Sequence, residues 1–138
     1  AATEKTEQEK EAVRRNAVRE KVENLGNVLF KFNSSYLTSN DKSVLDALVQ
    51  ILEENPTLKV EVTSHADARG PDPYNQWLSE KRLERTLAYL YEKGIADDRI
   101  KGEAKGEREL KNDCGNGVRC PEDKHQENRR SDFRVLEF

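Results

Sequence analysis

The 138-residue chain contains no methionine, one tryptophan, two cysteines and four prolines. No apolar run approaches the ~18 residues that a membrane-spanning helix needs, which argues against insertion of this segment in a bilayer. Charge of one sign is also lacking. The 24 Lys and Arg side chains stand against 27 Asp and Glu, a net charge of −3, so there is no bulk pull toward nucleic acid. The first ten residues, AATEKTEQEK, hold no apolar signal-peptide core. Together with the missing methionine, they predict a chain that starts after processing or is cut from something longer.

What is present is one modest core. Hydrophobic residues make up 34% and charged residues 37%, but the apolar positions are clustered and the charges cancel, unlike a disordered polyelectrolyte. The length suits a single domain. From Thr3 to Leu25 the sequence is charge-rich, with Val13 leading into a stripe of Val18, Val22 and Leu25. That pattern fits either a charged helix with one apolar edge or a loosely packed linker from a preceding domain. A first strand is expected over Asn27–Phe32, followed by the turn-rich Asn33-Ser34-Ser35. Val44, Leu45, Leu48, Val49 and Leu52 recur at helical spacing behind an N-cap at Ser39 or Asn40, until Asn55-Pro56 ends the pattern. Lys59–Thr63 alternates as a half-buried strand and runs into a Gly/Pro loop.

Trp77, Leu78, Leu83, Leu87 and Leu90 mark a second long helix from about Pro73 to Lys93, with Gly94 as its left-handed stop. Lys101–Gly106 is expected to be a strand, and Phe133, Val135 and Phe138 frame a last one, with Arg134 and Leu136 on its other face. Strands alternating with long helices imply right-handed βαβ crossovers and an α/β sandwich, a small sheet with helices packed on one face.

Cys114 and Cys120 lie six positions apart in a glycine-containing loop, where a local disulfide is the simplest reading and implies an oxidising compartment such as the periplasm or cell surface. Zinc held by these cysteines with His125 and His65 is a weaker alternative, because the spacing is not a common zinc pattern. For His65 itself, a hydrogen bond to nearby backbone is the plainer expectation. Asp67, just after the second strand, and Arg82, in the following helix, can meet. A carboxylate beside a guanidinium suits a zwitterion: Asp67 takes an ammonium and Arg82 holds a carboxylate through parallel N–H donors. An ordinary Asp67–Arg82 salt bridge is the competing account.

Ser64-His65-Ala66-Asp67-Ala68-Arg69-Gly70, then Asn75-Gln76-Trp77-Leu78-Ser79-Glu80-Lys81-Arg82, then Asn128-Arg129-Arg130, resemble three motifs of the OmpA-like C-terminal domain, roughly G-H-T-D-x-x-G, N-x-x-L-S-x-x-R-A and N-R-R-V. The likeness spans residues 26–138, leaving 1–25 as a charged connection to an upstream region of a parent protein. It implies an OmpA-like βαβαβ-β sandwich with a mixed sheet. It further implies noncatalytic binding of peptidoglycan through the meso-diaminopimelate of its stem peptides, without metal or cofactor, in the periplasm, with the parent or its assembly tethering the domain to the outer membrane. By position, Asp67 would receive the ammonium and Arg82 the carboxylate. Asn75 would stand beside the site, Phe32, Asn33 and Ser34 would line it, Ala66 would replace a threonine next to it, and Arg129 would lie at its rim with Asn128. Arg130 would be structural. Ser64, Ala66, Leu83 and Ser131 depart from the pattern, which bears on fine specificity.

Two other classes compete. An enzyme would need a nucleophile with a base or a marked carboxylate pair, and no G-x-S-x-G or H-E-x-x-H occurs. A protein-interaction module would use the aromatics of the second long helix, of which Tyr74, Trp77 and Leu78 can share one side while Tyr89 and Tyr91 diverge.

Overall fold

The computed structural model describes residues 6–138. Helix α1, Glu7–Glu23, is capped by Thr6, whose hydroxyl accepts from the Glu9 amide; the first residues of the expected helix, from Thr3, lie outside the described range. Strand β1 is only Val28–Leu29, shorter than the expected Asn27–Phe32. Helix α2, Ser39–Glu54, begins one residue after its true N-cap, Thr38, rather than being capped by Ser39 or Asn40. Thr38 and Asp41 exchange hydrogen bonds as a capping box, satisfying two otherwise orphaned backbone donors. Strand β2 is Lys59–His65, helix α3 is Asp72–Glu92, and strand β3 is Ile100–Gly106 behind a single 3-10 turn at Asp97–Arg99. A five-residue helix α4, Glu122–Gln126, follows the cysteine loop and was not anticipated. Strand β4, Arg130–Glu137, starts three residues before Phe133 and ends before Phe138.

The four strands form one mixed sheet in the order β1-β4-β2-β3. β2 runs parallel to β3 and antiparallel to β4, which pairs antiparallel with β1. The parallel pair is joined by α3, as a βαβ crossover requires. Val60 and Val62 of β2 and Phe133 of β4 point into a core shared with Leu45, Leu48 and Leu52 of α2 and Leu90 of α3. Burying each such side chain stabilises the fold by about 1.5–3 kcal/mol. The alternate β2 residue Glu61 faces the opposite side and meets Arg134 at 3.1 Å, so the helices occupy one face. Val18 and Val22 of α1 enter the same core, and the stacking of Arg15 and Arg19 on Phe138, at 5.3 and 5.0 Å, ties that helix to the chain's far end.

At the top of the sheet, the β2–β3 pairing slips between Ser64 and His65, so that His65 faces Gly106. Gly106 has φ +56°, and a Cβ there would sit 2.9 Å from Gln76 Oε1 and 3.3 Å from Gln76 Cα. Only glycine lets β3 end this close to α3. Its amide donates to Ser79 Oγ at 2.9 Å and its carbonyl accepts from the Ala66 amide at 2.8 Å. The register slip thereby fixes where the loop after β2 begins.

Candidate functional site

That loop, the segment after β1 and the first turns of α3 enclose a cavity of about 330 Å³. Phe32, Asn33, Ala66, Asp67, Asn75 and Arg82 line it, and Arg129 completes the set from the chain just before β4. Ser34, also expected in the lining, instead turns its carbonyl to Arg82 and borders the neighbouring groove. Residues that sequence reasoning did not place here are Arg69, Gly70, Pro71, Tyr74 and Leu78.

Asp67 and Arg82 share the cavity but do not pair. The expected direct contact, and the salt bridge offered as its plain alternative, are both replaced. Asp67 Oδ1 accepts from the Arg69 backbone amide at 2.9 Å and Arg69 Nε at 3.3 Å, while Oδ2 accepts from Arg69 at 2.8 Å and Arg129 at 3.2 Å. A carboxylate two residues before an amide closes a local turn, so Arg69 reaches it first. Burial would raise the Asp67 pKa, but the hydrogen bonds from Arg69 and Arg129 outweigh it and hold the group below the ordinary value of 3.8.

Arg82 is fully buried. It donates to three backbone carbonyls: Ser34 at 2.9 Å, His65 at 2.9 Å and Lys31 at 3.3 Å. A guanidinium has five N–H donors, so two remain, one on each terminal nitrogen. Among the described residues no carboxylate lies in ion-pair contact with Arg82. Burial, then the like charge of Arg129, pushes its pKa down to about 10. Such a group is costly to bury without an anion beside it, so this corner of the cavity favours negative charge.

Arg129 donates to the Phe30 carbonyl at 2.7 Å and bridges Asp67 to Glu122 at the start of α4, the latter at 2.7 Å. Glu122 also meets Arg69 at 2.9 Å. Since α4 begins two residues beyond Cys120, and Cys120 is disulfide-bonded to Cys114, the cysteine loop reaches the site through Glu122. With both sulfurs in that bond, neither cysteine is a thiolate ligand or nucleophile. Asn128 supports the same loop, accepting from the Lys111 amide at 2.7 Å and donating to Asn112 at 3.0 Å. Arg130 turns away to Asp132 and the Glu109 carbonyl. Asn75 links the Gly70 carbonyl, at 3.4 Å, to Glu107, at 3.3 Å.

His65 does not bond backbone as expected: its Nε2 lies 3.3 Å from both Thr63 Oγ1 and Asp132 Oδ2. At the cavity mouth Phe32 is 54% exposed, with the Arg69 guanidinium 4.0 Å from its ring centre. Tyr74 donates its hydroxyl to Asn33, which has φ +60°.

The family model described as OmpA family matches residues 29–124. The chain belongs to the OmpA family. Over 92 residues it is 40% identical to outer membrane protein A of Serratia marcescens, covering 64% of this chain but only 26% of that protein. The OmpA-family chain therefore corresponds to about a quarter of such a relative. Its fold matches the crystal structure of the peptidoglycan-associated lipoprotein from Burkholderia pseudomallei, with TM-score 0.70 and 24% identity over 80% of this chain and 89% of that one. It also matches the structure described as the cell wall anchor of the T6SS from Pseudomonas aeruginosa, with TM-score 0.61 and 23% identity over 80% and 76% of the two chains. At these identities the structural matches establish the OmpA-like fold.

Two departures from the family pattern answer each other in space. Ser64 and Ser131 are cross-strand partners whose hydroxyls lie 2.6 Å apart, and Ser131 also meets Thr86 at 3.2 Å. Leu83, another departure, packs where Gly102 leaves room, since a Cβ there would fall 3.1 Å from it.

Proposed function

We propose that this chain is a noncatalytic peptidoglycan-binding domain that holds the diaminopimelate head group of stem peptides and so anchors a larger envelope protein to the cell wall. The observation that carries the reading is Arg82, a buried guanidinium with no carboxylate partner among the described residues and two N–H groups left over. A ligand carboxylate would take both in parallel and neutralise the charge. The ammonium on the same carbon would go to Asp67. Arg69 keeps that carboxylate ionised, and its partly exposed side chain can yield to the incoming cation. Phe32 and Asn33 form the cavity's outer wall, Ala66 and Asn75 its inner one, Ser34 holds Arg82 from behind, and Arg129 sets the orientation of Asp67.

The names of the relatives support this assignment. A domain of this kind would sit in the periplasm, joined through residues 1–25 to an upstream part of its parent, which the outer membrane or an assembly on it would retain. The disulfide agrees with an oxidising compartment. One head group offers few atoms, so single contacts should fall near −8 to −4 kcal/mol, micromolar to millimolar. Many copies on one polymer then make the attachment firm through effective concentration.

Calorimetric titration with a muropeptide carrying meso-diaminopimelate, beside its L-lysine counterpart, tests the reading. The lysine form lacks the second carboxylate. Binding of the first, much weaker binding of the second, and loss in Asp67→Asn and Arg82→Lys are expected. Absence of heat with either ligand at millimolar concentration would refute it and turn attention to a protein partner.

A further inference from the structure

Of the exposed aromatic side chains Phe32, Tyr36, Tyr74, Trp77 and Tyr91, all but Tyr91 gather at one end of the molecule. They flank two adjoining hollows. One is the head-group cavity; the other is a groove of about 670 Å³ along α3, and Asn33, Tyr74 and Leu78 border both. Leaving large apolar rings in water forgoes the burial that normally drives folding, so a cluster of them marks a binding surface more often than a single one does.

The rings are held in place. Tyr74 and Trp77 stack with centroids 5.8 Å apart and planes at 29°, while Trp77 remains 48% exposed. Across the groove Tyr36 is 68% exposed, with the Arg85 guanidinium 4.1 Å from its ring centre. Arg85 is itself fixed by a 2.9 Å bond from Nε to Ser35 Oγ, and it makes no ion pair among the described residues. Flat apolar faces bordered by hydroxyl, amide and cationic donors complement a ring with apolar C–H faces and polar edges. Among the parts of a peptidoglycan chain, that description fits a pyranose.

We propose that the groove is a second subsite that takes an N-acetylated amino sugar of the glycan bearing the same stem peptide. The assignment rests on the head-group reading above. The spacing is compatible: from Tyr74 to Arg85 the helix advances about 16 Å. A head group at the third stem residue is separated from its sugar by two residues and a lactyl ether, roughly 10–14 Å when extended. The groove thus makes the domain read peptide and glycan together, and it prefers stems still attached to sugar over released peptides.

Trp77 is the single tryptophan, so its emission reports on the groove directly. The full chain is titrated with a disaccharide-bearing muropeptide and with the same peptide after the sugar is removed, by calorimetry and by fluorescence. The sugar-bearing ligand should bind about three- to tenfold more tightly, the scale of one aromatic stacking contact, and it alone should shift the emission. Tyr36→Ala and Trp77→Leu should each abolish that advantage while leaving the free peptide's affinity as in the unaltered chain, with unchanged melting curves. Equal affinity for the two ligands, or an advantage that survives both substitutions, would overturn the groove assignment and leave the head-group site standing. Failure of both ligands to bind would overturn both.

Discussion

Strand β2 passes through two environments on one face of one sheet. At Val60 and Val62 it is buried among leucines of α2 and α3; at Ser64 it is just as buried, but against the hydroxyl of Ser131, which also meets Thr86, and the next carbonyl, that of His65, accepts from Arg82. The first half is held by non-directional packing and tolerates any apolar neighbour of the right volume. The second is held by named donors and acceptors, each costly to leave unpaired. The difference explains why ligand chemistry belongs at one end: a polar half can spare charged groups to a ligand, whereas an apolar half has none to spare.

The substitution expected to do most harm is Arg82→Ala, which takes a donor from the carbonyls of Lys31, Ser34 and His65 at once. Urea unfolding should show a loss of about 3–5 kcal/mol, and head-group binding should vanish. Leu48→Ala, in the apolar half, should cost about 2–5 kcal/mol in the same assay but leave affinity intact while the chain is folded. If it also weakened binding, the two halves would not be separable. Replacing Cys114 and Cys120 by serine should lower stability by about 2 kcal/mol, the loop-closure scale for so short a loop. Because Glu122 holds both Arg69 and Arg129, it should also weaken binding several-fold.

The smallest effect at neutral pH is that of protonation. Asp67 has its pKa lowered in the folded state, so its contribution to stability is fully present above the ordinary value of 3.8 and is lost as pH falls through the lowered one. Head-group affinity should accordingly stay level between about pH 5 and 8 and collapse in acid, and Asp67→Asn, which does not bind, should lack the acid-dependent loss of stability that this carboxylate contributes.

How much of this was legible in the sequence differs by element. Helix α2 and helix α3 were, because their apolar residues repeat at helical spacing over four or more turns and end at Asn55-Pro56 and Gly94. Helix α4 was not, since five residues cannot display a period. The Thr38 cap was hidden behind two other plausible capping residues, although Asp41 three positions later was a usable signal. The strand over Asn27–Phe32 shrank because pairing of β1 with β4 ends at Leu29, beyond which Phe30 exchanges bonds with Arg129.

At the site, spacing and motif resemblance brought Asp67, Asn75, Arg82 and Arg129 to one cavity without saying who pairs with whom. Arg69 was missed because a charged loop residue is ordinarily a solvated one; only its position two residues after Asp67 hinted at the turn. Local sequence thus determined the long helices, the strand alternation and the disulfide loop, since each depends on neighbours a few positions apart, while the motif resemblance supplied Asp67, Asn75, Arg82 and Arg129 as candidates. The tertiary structure alone decided that Arg82 would bond three carbonyls instead of Asp67, that Ser64 would meet Ser131, and that four aromatics would flank two adjoining hollows. Those outcomes depend on which groups, tens of residues apart, first satisfy one another's hydrogen bonds when packing removes the water between them.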